Sequence, residues 1–127
     1  MDKNAYYKKM FLIAALWNWI LAIIMILLSI AAPSSAKDFG MEIPLTWFFF
    51  QSFWFFVFLF GILFFVTSQN LEKYHGLGGI FVLEKVGIFI ITLVYYLMGD
   101  VNEAAFSMVI VDLIFGILFL EFWLKFK

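Results

Sequence analysis

Residues 10–32 read MFLIAALWNWILAIIMILLSIAA, more than twenty positions without one charged side chain. A helix of about 20 mostly apolar residues crosses the ~30 Å hydrocarbon layer of a bilayer. Three more stretches have the same character: 46–68, 77–99 and 104–124. Punctuation separates them. Pro33, Ser34 and Ser35 close the first, Pro44 precedes the second, a polar and Gly-rich run from Asn70 to Gly79 follows it, and Gly99-Asp100 ends the third. Gaps this short make neighbouring helices antiparallel. The expected fold is all-α: a polytopic membrane protein forming an antiparallel four-helix transmembrane bundle, one domain over residues 1–127.

Composition leads the same way. Of the 127 residues 66% are hydrophobic and only 13% charged, against roughly 45–50% and 25% in soluble domains. A globule this small keeps much of its surface exposed and could not hide so much apolar side chain from water. With no cysteine, disulfide exchange and thiolate metal sites are excluded. One histidine, His75, cannot supply a multi-His metal or haem site. No Arg is present and the net charge is −1, so the chain has no basic surface for nucleic acid. No cofactor is indicated.

Lysines near the span ends set orientation. Lys3, Lys8, Lys9, Lys73, Lys125 and Lys127 fall on one side and Lys37 alone on the other, which places both termini in the cytoplasm. Tyr6, Tyr7, Tyr74 and Trp123 mark that interface; Trp47, Tyr95 and Tyr96 mark the opposite one. The first span exceeds the usual 7–15 residues of a cleavable signal core and reads as a retained helix. The expected location is the cytoplasmic (plasma) membrane.

An ionisable side chain at mid-helix costs about 2.5–3.5 kcal/mol on insertion scales, so the polar residues inside the spans are the informative ones. They are Asn18 in the first, Glu84 and Lys85 in the third, and Asp112 in the fourth. At ~1.5 Å per residue, Asn18, Glu84 and Lys85 lie roughly 11–13 Å from the inner ends of their spans, and Asp112 about 18 Å. One polar layer is geometrically plausible, with Lys85 paired to Asp112 and steadied by Asn18. Glu84 lies about 100° round the helix from Lys85 and is expected to face a cavity or a second subunit. Trp17, Trp19 and Tyr95 are candidate walls. Three readings of the layer stand: a ligand or ion site, a lock between helices, and a Lys85 that snorkels to the interface.

The second span holds ten of the nineteen Phe, on every face, and reads as lipid-facing bulk with Gly61 as its close-contact point. His75 reads as a solvated loop residue and Glu121 as solvated near the inner end. Gly76-Leu-Gly78-Gly79 reads as a flexible entry to the third span; no strand precedes it, so it is no dinucleotide loop. No Gly-x-Ser-x-Gly occurs.

Three segments, Asn18 in the first span, Gly78-Gly-Ile-Phe-Val-Leu-Glu-Lys85 and Val111-Asp112-Leu-Ile-Phe-Gly116, make the chain resemble the small bacterial four-helix membrane proteins grouped as DoxX-like. Some of those are linked to quinone-dependent oxidoreductases, so the resemblance implies an accessory membrane subunit. A more distant likeness is to the emopamil-binding-like four-helix proteins, which hold sterol-like or cationic amphiphiles in an intramembrane cavity. No catalytic residue of either group matches a position here. Small multidrug exporters carry a Glu in the first helix where this chain has only Asn18, and the four-helix glutathione enzymes use an Arg-rich motif.

The sequence thus supports binding of a membrane-soluble molecule (isoprenoid, quinone or lipid) or service as an accessory subunit. Behind it stand a structural partner in a larger membrane complex, then a proton-coupled transporter acting as a homodimer. In the last, Glu84 or Asp112 would alternate between proton and substrate. An independent enzyme ranks last.

Overall fold

The computed structural model of the chain describes residues 2–126, so Lys127, one of the lysines used for orientation, lies outside the described residues. The described residues contain helices and no strand. Four of the helical stretches are long and apolar enough to cross a membrane: Lys3–Ala31, Phe48–Gln69, Leu71–Leu97 and Glu103–Lys125.

Helix α1 (Lys3–Ala31) starts seven residues before the first apolar stretch. Hydropathy could not show this, because the extra turns carry Lys3, Asn4, Lys8 and Lys9. The Asp2 carboxylate accepts from the Asn4 N–H at 3.2 Å and caps the helix, while Tyr7 is already buried. After Ala32 a 3-10 segment runs from Pro33 to Phe39. Helix α2 (Phe48–Gln69) ends at Asn70, whose Oδ1 accepts from Lys73 N–H at 3.1 Å and opens the single turn α3 (Leu71–Tyr74). A 3-10 turn (His75–Leu77) then leads into α4 (Gly78–Leu97). The break expected over 70–79 is therefore mostly helical, held by the buried Leu71.

Gly99, at φ +85°, closes α4. Asp100 N–H reaches Tyr95 O at 2.9 Å and Gly99 N–H reaches Tyr96 O at 3.1 Å, the Schellman arrangement that needs a left-handed residue here. Helix α5 (Glu103–Lys125) is capped by Asn102, whose Oδ1 accepts from Ala104 and Ala105 N–H. The Asn102 amide also donates to Asp38 O at 2.6 Å.

The chain divides into two compact units. The first, up to Ser35 together with Ile43–Lys73, is the α1–α2 hairpin. Its contacts run in reverse order, Phe11 on Phe64, Trp19 over Gly61 and Ser29 with Gln51, so the helices are antiparallel. The second, Ala36–Glu42 with the described residues from Tyr74 onward, is the α4–α5 hairpin, antiparallel by the same test: Gly78 meets Trp123, Phe81 meets Phe119, Lys85 meets Asp112 and Phe89 meets Phe106.

Both hairpins turn apolar side chains outward. Ile13, Leu16, Ile20, Ile24 and Leu27 are exposed along α1, and Phe48, Phe49, Phe53, Phe55 and Phe56 along α2. Only Gly61, Phe64, Thr67 and Ser68 of α2 are buried.

Candidate functional site

On α4 the buried residues are Gly78, Phe81 and Lys85, spaced three and four apart and hence on one face. On α5 the buried set includes Val109 and Gly116, and Asp112 lies between them on the same stripe. Facing these stripes towards each other brings a lysine against an aspartate. Gly116 makes the approach possible: a methyl group there would lie 3.0 Å from Val86 Cγ2 and 3.3 Å from Lys85 Cβ.

Lys85 Nζ donates to Asp112 Oδ1 at 2.8 Å, a charge-assisted bond between side chains 1% and 13% exposed. The same ammonium stands 5.8 Å from the centre of the Phe115 ring, within cation–π range. With Nζ held by Asp112 inside the hairpin, Lys85 is no snorkelling residue.

Glu84 comes nearer to Lys85 than the helical spacing alone implies. Although its Cα–Cβ bond points about 100° from that of Lys85, Glu84 Oε2 comes to 3.7 Å from Nζ. Two long side chains bend far enough to bring their heads together. Even so, 3.7 Å exceeds the ~3.2 Å limit of a good N–H···O bond, and Oε2 is buried with no hydrogen-bond partner. The cluster therefore brings together one lysine and two carboxyl groups.

Of the other expected members, Asn18, Trp17 and Trp19 belong to the first hairpin and Tyr95 to the second. Asn18 sits in the α1–α2 hairpin, where its amide donates to Val57 O at 3.1 Å. Trp17 is half-buried on α1. Trp19 packs over Gly61 and against Phe58 and Phe65, with its buried indole N–H unbonded. Tyr95 stands ten residues, about 15 Å, along α4 from Lys85. It lines instead a cleft of about 720 Å³ with Ile91, Thr92, Met41, Glu42 and Asp100. Sequence reading missed this cleft, since Gly40 and Gly99, both at positive φ, shape its wall.

His75 also corrects the expectation of a solvated loop residue. It is half-buried, its ring meets Phe122 and Phe126, and its Nε2 lies 2.9 Å from Trp123 O. A carbonyl only accepts, so Nε2 carries the hydrogen and satisfies a carbonyl in the last turn of α5. Gly78 and Gly79, expected to be a flexible entry, lie inside α4 against the Trp123 ring. Glu121 is half-buried rather than free in solvent. Among the described residues no three His, Cys, Asp or Glu are grouped as a metal site requires.

Comparison with protein-family models, with curated proteins and with solved structures gives no match for this chain.

Proposed function

We propose that the chain is a four-helix integral protein of the cytoplasmic membrane, with both termini on the cytoplasmic side. In this reading it binds a membrane-soluble small molecule (an isoprenoid, a quinone or a lipid), either alone or as an accessory membrane subunit. Four membrane-length helices with outward apolar side chains support the first part.

One observation carries the second. Lys85, Asp112 and Glu84 meet in a hairpin whose other buried helix residues are apolar, and one Glu84 carboxylate oxygen is left without a hydrogen bond. Charges inside a membrane helix are costly and usually mark a site. An apolar surround with a few convergent polar groups is the general form of a small-molecule site. Native mass spectrometry of the gently extracted protein tests the reading. A stoichiometric adduct on the wild type, diminished in Asp112→Asn, is expected; identical bare spectra overturn it.

The 2.8 Å Lys85–Asp112 bond favours a second reading, in which the pair only fixes α4 against α5 and the protein is an assembly partner in a larger membrane complex. That reading predicts no adduct.

A further inference from the structure

The last five residues before α2, Ile43-Pro-Leu-Thr-Trp47, carry no charge and open an uncharged run that continues to Leu71. Just ahead of them Lys37, Asp38 and Glu42 are charged and exposed, as befits chain in water. The apolar side chains after that boundary are not folded away. Leu45 is 108% exposed, as open as in a free peptide, and the exposure runs on into Phe48 and Phe49 at the start of the helix.

Two constraints fix the depth of this segment. Apolar side chains with no protein partner leave water for lipid, but unsatisfied backbone groups do not enter hydrocarbon. Among the described residues, the N–H groups of Ile43, Leu45, Thr46 and Trp47 meet no acceptor in the protein. No side chain caps α2 at Trp47, and Thr46 Oγ1 accepts only from the Phe48 N–H, at 3.3 Å. Pro44 brings no N–H and so lowers the demand. Apolar side chains on a hydrated backbone fit the layer where headgroups meet acyl chains, which also suits Trp47. Length agrees: residues 48–66 span about 28 Å at ~1.5 Å per residue, close to the ~30 Å hydrocarbon layer, so Phe48 stands at its edge. Resting on the membrane reading proposed above, we infer that Ile43–Trp47 is an interfacial anchor. The segment lies along the headgroup layer with Leu45 among the upper acyl chains, and it ties the start of α2 to the bilayer surface. Its partner is lipid, because its apolar surface is continuous with the outward Phe48 and Phe49 of the span.

The chain has no cysteine, so single spin labels can be placed on the full chain in phosphatidylcholine vesicles. Three positions serve: Leu45→Cys, Lys37→Cys on the exposed connection before it, and Phe56→Cys on the outward side of α2. Collisions with oxygen, which concentrates in lipid, are compared with collisions with a water-soluble nickel chelate. The label at 45 should meet the nickel chelate several-fold less often than the label at 37. It should meet oxygen more often than the label at 37 and less often than the label at 56. Nickel access at 45 equal to that at 37, with 56 still in lipid, overturns the anchor and leaves the membrane reading standing. A label at 45 that is immobile and shielded from both probes shows protein covering the segment, and overturns the anchor as well. Nickel access at 56 equal to that at 37 overturns the membrane reading itself, and the anchor with it. Leu45 is fully exposed, so its replacement removes no packing and the fold is not at stake in the measurement.

Discussion

The polar side chains packed between α1 and α2 are neutral, whereas those between α4 and α5 include three ionisable groups. In the first hairpin the hydroxyl and amide side chains Ser29, Thr67 and Asn18 each find a partner close by, while the Trp19 indole N–H does not. Ser29 donates to Ile26 O and accepts from Gln51 Nε2, Thr67 donates to Leu63 O, and Asn18 donates to Val57 O. Hydroxyls that bond back to their own helix cost little in an apolar setting. In the second hairpin Lys85 and Asp112 satisfy one another across the helices, and Glu84 is carried beside them without a full bond. Neutral groups suffice to join two membrane-length helices, as the first hairpin demonstrates. The ionisable groups of the second exceed what helix pairing demands.

The largest expected effect breaks the pair. Lys85→Met leaves Asp112 packed on the helix face without its cation, and stranding one member of a buried pair costs about 3–5 kcal/mol. Replacing both, as in Lys85→Met with Asp112→Leu, should recover most of that loss, because apolar substitutes for a buried pair are often neutral or better. Unfolding in mixed micelles measures both variants. A single variant no less stable than the double would show that the 2.8 Å contact carries no weight. Recovery of the fold together with loss of any bound molecule would separate binding from the helix lock.

Next come the glycine seams, one in each hairpin. In Gly61→Ala the new methyl falls 2.5 Å from Trp19 Nε1 and 2.6 Å from its Cδ1, so the indole must leave its place between the helices. Overpacking of this kind costs about 1–3 kcal/mol. In Gly116→Ala the methyl meets the Val86 Cγ2 at 3.0 Å, and a smaller loss is expected because that contact is less severe. Gly87→Ala meets nothing within 4 Å and should be neutral or gain up to about 1 kcal/mol of helix propensity. The same unfolding measurement ranks the three; equal losses at Gly61 and Gly87 would contradict the packing.

The four apolar stretches were legible because hydropathy needs no tertiary information, and Gly61 was legible as the small residue in a helix crowded with Phe. Other features depend on groups that hydropathy scores against a span. The early start of α1 rests on the Asp2 cap beneath three lysines, and the helical turn after Asn70 rests on an Asn side chain bonded to Lys73 N–H. Spacing placed Lys85 and Asp112 within reach of each other. For Glu84 it gave the direction of Cα–Cβ but not the bend of the side chain that ends 3.7 Å from Nζ. The Tyr95 cleft was out of reach altogether, since it depends on two glycine φ angles far apart in sequence.

The smallest effect tests the first hairpin's side of the contrast. Asn18→Leu removes the 3.1 Å bond to Val57 O and substitutes a side chain of similar bulk. Inside a helix that carbonyl already accepts from the backbone N–H four residues on, so losing the amide strands no acceptor. Hydrogen bonds between membrane helices average about 0.6 kcal/mol and reach about 1.7, and a loss in that range is expected from the same unfolding curve. It should be several times smaller than that of Lys85→Met, since one change removes a shared bond and the other leaves a charge behind. A loss at Asn18 as large as that at Lys85 would end the contrast between a hairpin held by neutral bonds and one carrying charges for another purpose. Asn18 would then have to be read as a functional residue in its own right.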